Sequence, residues 1–147
     1  MQSLQLTISE PGPDRSRQLA SHPHEVLVDP TGSYLVVPDL GADLVRVFSI
    51  SASTGSLTES IPLKVMPGSG PRHGTFLVSN YNTFFFLISE LGNKITSYKV
   101  TYGTNILKFR EVFDSGIYGN ATTPTGAAAA EAILSVSLFA LPRLDKD

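Results

Sequence analysis

The chain repeats itself, and that restricts its fold more than any other feature. Ser21-His-Pro-His-Glu-Val-Leu-Val-Asp-Pro-Thr-Gly-Ser-Tyr-Leu-Val-Val-Pro-Asp-Leu-Gly-Ala-Asp43 returns in altered form between Ser69 and Lys94. Pro23 lies over Pro71 and His24 over Arg72, and Asp39-Leu40-Gly41 lies over Glu90-Leu91-Gly92. A small insertion near Tyr81 and Asn82 accounts for the drift between the two matches. A decayed third copy is visible where Ala130–Leu134 matches His24–Val28 and Pro142-Arg143-Leu144 matches Pro38-Asp39-Leu40. Self-similarity at roughly 40–50 residues, built from short apolar runs, marks propeller blades or comparable repeats.

Each copy contains a hairpin. Val26–Val28 and Tyr34–Val37 are short β-rich runs joined by Asp29-Pro-Thr-Gly32, with proline and glycine where a turn needs them. Antiparallel strands place their outer ends side by side. His24 and Asp39 are therefore expected at one end of the first hairpin, and Arg72 and Glu90 at the same end of the second. The expectation is a shared polar rim.

Further strands complete each repeat. Leu44–Ile50 reads as a third strand, and Leu57–Val65 as a fourth, interrupted by Pro62. A proline removes a ladder donor, so this strand belongs at an edge. In the second repeat, strands are predicted over Thr75–Val78, Phe84–Ser89, Ile95–Thr101 and Ile106–Phe113. Phe84-Phe-Phe-Leu-Ile88 does not alternate, as suits a strand covered on both faces. Four strands per repeat is the blade count of a propeller.

The fold class is thus all-β, an incomplete β-propeller of about two full four-stranded blades plus parts of flanking ones. Residues 1–20 are expected to end a preceding blade, with Met1–Ile8 as its outer strand and a loop after it. Residues 21–68 and 69–114 form the two blade repeats, and 115–147 a loop and a truncated third. Ala127–Ala132 has helical propensity, which competes with the extended structure that the repeat predicts from about Ala132. Fewer than four blades cannot close a ring, so the chain is expected to be a portion of a larger protein.

Composition excludes several classes. The 147 residues are 41% hydrophobic and 16% charged, with a formal net charge of −2, which is too apolar for disorder. The balance is not basic enough for nucleic acid, and no apolar run approaches the roughly 18 residues of a membrane helix. There is no cysteine, so disulfides and thiolate metal sites are ruled out. The N-terminus lacks the pattern of a signal peptide; a cytoplasmic protein is expected, with secretion of a longer form left open. No nucleophile elbow, P-loop or dinucleotide fingerprint occurs, and no cofactor is expected. Asn120-Ala-Thr122 is a formal glycosylation sequon.

The rim residues each carry two readings. Arg72 offers a planar fork for a carboxylate or phosphate, or an ion pair that binds neighbouring blades. His24 can exchange a proton near neutral pH, or be a solvated loop residue. Glu90 can act as a base, or hold Arg72 through a salt bridge. His22 and His73 read as supporting residues. Asp39 and Asp43 read as turn caps or partners of Arg46, although with Glu90 they could hold a hard divalent cation.

The motifs His22-Pro-His-Glu25 with Asp29-Pro-Thr-Gly32, Val37–Asp43, Gly68-Ser-Gly-Pro-Arg-His73 and Ser89-Glu-Leu91 resemble the seven-bladed propeller lactonase family. The resemblance runs from about Pro11 to the C-terminus and includes Ala127–Glu131. That family embraces propeller-type 6-phosphogluconolactonases and fungal carboxy-cis,cis-muconate lactonizing enzymes. It implies an axial site with His24, Arg72 and Glu90 as catalytic residues and Arg72 and Arg143 binding substrate. The implied substrate is a small anionic lactone or a muconate, and the implied activity is lactone hydrolysis or, alternatively, cycloisomerization. A fragment serving as an inactive product or binding scaffold is the rival of another class. Unpaired edges and uncovered apolar faces predict self-association.

Overall fold

A computed structural model describes residues 2–104 and 106–135. It contains two antiparallel sheets and, among the described residues, no helix. In the first sheet β1 (Leu27–Val28), β2 (Tyr34–Asp39) and β3 (Leu44–Ile50) pair in order, and β3 carries both β4 (Leu57–Glu59) and β5 (Leu63–Lys64) on its far edge. The second sheet runs β6 (Pro71–Ser79), β7 (Asn82–Ser89), β8 (Lys94–Gly103) and β9 (Ile106–Gly116). β4 and β5 are one outer strand broken ahead of Pro62, as its missing donor dictates. Ser60 N–H still donates to Val47 O across the gap at 2.8 Å, an ordinary ladder-bond length.

The hairpin tips differ. The Asp29 carboxylate accepts hydrogen bonds from Thr31 N, Thr31 Oγ1, Ser33 N and Tyr34 N, all between 2.7 and 2.9 Å. Burial opposes its charge, but these bonds outweigh burial and hold its pKa below the usual value. In the second blade a two-residue turn, Asn80 (φ 47°) and Tyr81 (φ 61°), joins longer strands. Two successive positive φ values match the twist of a hairpin.

The sheets stack face to face. Tyr34, Val36, Val45 and Val47 of the first pack with Phe85, Leu87, Tyr98, Val100 and Leu107 of the second in a single core. Alternation explains the first set: these residues share one face of β2 and β3. Phe85 lies against β6 because Gly74 leaves it room; a Cβ there would stand 2.6 Å from the Phe85 ring.

Four expectations are corrected. Residues 2–8 form no strand; instead both amide atoms of the Gln2 side chain bond the Leu57 backbone at 2.8 Å. Residues 132–135 are not the strand that the repeat predicts, and the competing helix over 127–132 does not form either. Strand β9 runs on to Gly116, beyond its expected end at Phe113. The repeat register also slips: Pro23 bridges Asp39 while Pro71 pairs with Ser89. Pro23 and Pro71 are therefore equivalent, as the sequence indicates, but Asp39 corresponds to Ser89 and Leu40 to Glu90. The shared Leu-Gly dipeptide misleads here, because the four-residue corner tolerates a one-residue offset that strand pairing does not.

Candidate functional site: an arginine–carboxylate–histidine rim

The corners of the two hairpins meet at one end of the stacked sheets. His24 N–H donates to Pro38 O at 3.1 Å, fixing the start of the first hairpin beside its end. In the second blade the pairing of Pro71 with Ser89 is followed by that of His73 with Ile88. Arg72 is left opposite nothing, the extra residue of a β-bulge. A bulge redirects a side chain out of the strand's alternation, and here Arg72 Nη1 donates to Glu90 Oε2.

Glu90 accepts a second guanidinium. Arg17 Nη2 donates to its Oε1 at 2.5 Å, so the two oxygens of a nearly buried carboxylate each carry one arginine. Burial alone would raise the Glu90 pKa; the hydrogen bonds and charges of Arg72 and Arg17 outweigh burial and keep it lowered. Arg17 comes from the proline-rich loop, which is anchored by fully buried Gln18. The Gln18 side chain donates to Leu40 O at 2.9 Å and accepts from Asp14 N at 3.1 Å.

His24 is exposed and faces the same cluster. Its ring centroid lies 6.3 Å from that of His73 in an edge-on arrangement. Partial burial first, then the positive charge of Arg72, lower its pKa; Glu90 offsets part of this, and His73 and His22 add to the lowering. His24 is therefore neutral at pH 7 and able to accept a proton. His73 Nδ1 stands 3.1 Å from Glu131 Oε2, off the line of a hydrogen bond. The adjoining segment is tied down where Asn93 Nδ2 donates to Ala127 O at 2.9 Å.

Of the residues singled out in the sequence, His24, Arg72 and Glu90 converge, and Arg143 lies outside the described residues. Among the described residues, Asp39, Asp43 and Glu90 do not gather into a group that could hold a cation. Asp39 accepts from Ser21 Oγ, His22 N and Arg46 Nε; Asp43 accepts from Gly68 N and Gly70 N. Both carboxylates brace corners and the crossover between blades. Arg17 and Glu25 went unnoticed in the sequence. Arg17 has no counterpart in the repeat, and Glu25 is matched by His73, which gives no hint of a carboxylate. A separate hollow between the sheets, lined by Met66, Lys94, Thr96, Tyr98, Glu111 and Asp114, contains none of the rim residues. There burial pushes the Tyr98 hydroxyl up to about 12, with help from Glu111, so it stays protonated.

Stacked four-stranded antiparallel sheets with polar corners gathered at one end define blades of a propeller. The family model "Lactonase, 7-bladed beta-propeller" matches residues 1–137, and the chain belongs to that family. It is 41% identical over 136 residues to a probable 6-phosphogluconolactonase of Arthroderma benhamiae, covering 88% of this chain and 33% of the relative. Among solved structures, a protein from Lactobacillus plantarum superposes with a TM-score of 0.69 at 30% identity, over 84% of this chain and 33% of that one. The periplasmic gluconolactonase of Pseudomonas aeruginosa gives 0.63 at 28% identity, over 81% and 32%. The chain thus spans about a third of the length of these relatives. No helix among the described residues is long and apolar enough to cross a membrane.

Proposed function

We propose that the chain supplies part of the mouth of a propeller lactonase that hydrolyses an anionic sugar lactone of the 6-phosphogluconolactone type. The observation that carries this reading is the convergence of His24 with the Arg72–Glu90–Arg17 cluster from two different blades. Arg72 and Arg17 present guanidinium groups to the substrate's anionic group, since a planar fork suits phosphate and carboxylate oxygens. Neutral His24 accepts a proton from water as the water oxygen attacks the lactone carbonyl carbon. The ring C–O bond then breaks, and the departing alkoxide recovers a proton, giving the open hydroxy acid. One water is consumed, and no redox change or cofactor is involved.

Glu90 is better suited to orient the two arginines than to serve as a base, because both its oxygens are engaged and its pKa is lowered. The names of the similar proteins support the lactone substrate, and nothing at the rim favours the cycloisomerase alternative. We place the protein in the cytoplasm together with this substrate, since a phosphorylated sugar held inside the cell crosses an apolar bilayer poorly; cell fractionation tests it.

The direct test is lactone opening, followed by acid release at constant pH, for the wild-type chain, His24→Ala and Arg72→Ala. Loss of a proton acceptor is expected to lower kcat by about 100-fold, and loss of the clamp to raise KM. Turnover unchanged in both variants removes the catalytic reading. Sugar-acid binding without turnover in the wild-type chain favours the binding scaffold.

A further inference from the structure

We propose that Glu25 is a positioning residue: by gripping the backbone of β6 beside its bulge, it fixes where Arg72 stands relative to His24. The inference rests on the anion-clamp role given to Arg72 above. It begins from the bulge, which leaves Arg72 without an opposing residue on β7. A bulge interrupts the ladder that would otherwise set the strand's path, so another contact must set it.

Glu25 provides that contact. Its Oε2 accepts a hydrogen bond from Gly74 N at 2.8 Å, reaching from the first blade to the second. Among the described residues β6 is an edge of its sheet, with a neighbouring strand on one side only, and Gly74 is buried. Its N–H would lack a partner without Glu25, and a buried unpaired donor is strongly disfavoured. On one face of the sheet the Phe85 ring fills the space at Gly74, leaving no room for even a Cβ. The strand is held at its edge and on one face two residues beyond Arg72.

The other end of the latch is equally fixed. Glu25 follows His24 directly, and His24 is held to the first hairpin through Pro38 O. One carboxylate therefore joins the backbone that carries the proton acceptor to the backbone that carries the clamp. The charged and titratable groups facing His24 are Arg72, Glu90, His73 and His22, together with adjacent Glu25. Arg17 and Glu131 act one contact further out, through Glu90 and His73.

The test compares wild-type protein with Glu25→Gln and Glu25→Ala, using inorganic phosphate as the probe. Phosphate binding is followed by NMR on the buried Arg72 Nε–H, which has no hydrogen-bond partner among the described residues, and on the His24 ring. Glutamine retains an oxygen acceptor for Gly74 and is expected to bind phosphate within about twofold of wild type. Alanine is expected to weaken binding about tenfold, the scale of loss for a sub-ångström displacement of a positioned group. The His24 titration is also expected to lie higher in Glu25→Ala than in Glu25→Gln, since both lack the Glu25 charge and only alanine releases Arg72. If Glu25→Ala does not fold, Glu25→Asp, one methylene short of Gly74, takes its place with the same expectation. Equal phosphate affinity in the alanine and glutamine variants, or no response of Arg72 in the wild type, overturns the proposal. A lactone assay separates the two claims. If the wild type opens no lactone while the variants differ in phosphate binding as expected, the lactonase reading falls and the latch stands. If turnover is present and indifferent to Glu25→Ala, the latch falls and the lactonase reading stands.

Discussion

Glu90 is the residue on which the rim's charge balance turns. It is a nearly buried carboxylate between two guanidiniums that both reach water. Glu90→Gln leaves those cations without their counter-charge. A cost of about 2 kcal/mol is expected in urea melts, less than for a fully buried pair because water screens both arginines. Its folded-state pKa lies below the unfolded value, so its stabilisation is present at neutral pH and is lost as pH falls below the ordinary 4.5. The acid limb of the stability curve is expected to be shallower in Glu90→Gln than in wild type. His24, also lowered, leads to a different acid effect. Lactone opening should fall as His24 becomes protonated, with a midpoint below its ordinary 6.5. In Arg72→Ala, where the main lowering charge is gone, a pH–rate profile should show that midpoint moved upward.

At the level of elements, the corner after β2 decides whether the Arg17 loop can dock. A Cβ on Gly41 would fall 1.7 Å from Ala20 O, and backbone cannot yield as a flexible side chain can. Gly41→Ala is expected to cost about 1–3 kcal/mol or more and to free Arg17 from Glu90, visible as a lower melting temperature and faster amide exchange over residues 12–22. At this scale, too, lies the reason that the repeat in the sequence runs one residue out of step with the pairing at the second corner. Strands β2 and β7, the turn after Asp29 and the proline break before β5 were all evident from apolar runs and turn residues. The corner register was not, because Leu-Gly recurs there while the hydrogen-bond ladder counts residues differently. Nor was the bulge at Arg72 evident, since Gly-Pro-Arg-His carries no pattern that marks an unpaired position.

For the molecule as a whole, two stacked blades bury one face of each sheet and leave others bare. Val26, Val28, Ile61, Met66, Val112 and Phe113 are exposed among the described residues. Among the described residues the outer strand β9 presents an eleven-residue edge, although its register shift opposite Ser97 and Tyr98 twists that edge away from flat pairing. The isolated 147-residue polypeptide is expected to self-associate in a concentration-dependent way, through apolar faces more than through this edge. Light scattering coupled to size-exclusion chromatography checks it; a monodisperse monomer at high concentration contradicts it.

The amino-acid sequence by itself determined the blade-like repeat, most of the strands, the hairpin turns and the placing of His24, Arg72 and Glu90 toward one end. Those features follow from local periodicity and turn chemistry, which are written along the chain. Only the tertiary structure decided that Arg17 shares Glu90 with Arg72, that Arg72 occupies a bulge, and that Glu25 crosses to Gly74. Each depends on contacts between segments tens of residues apart, which packing of one blade on the next brings together and no local pattern records.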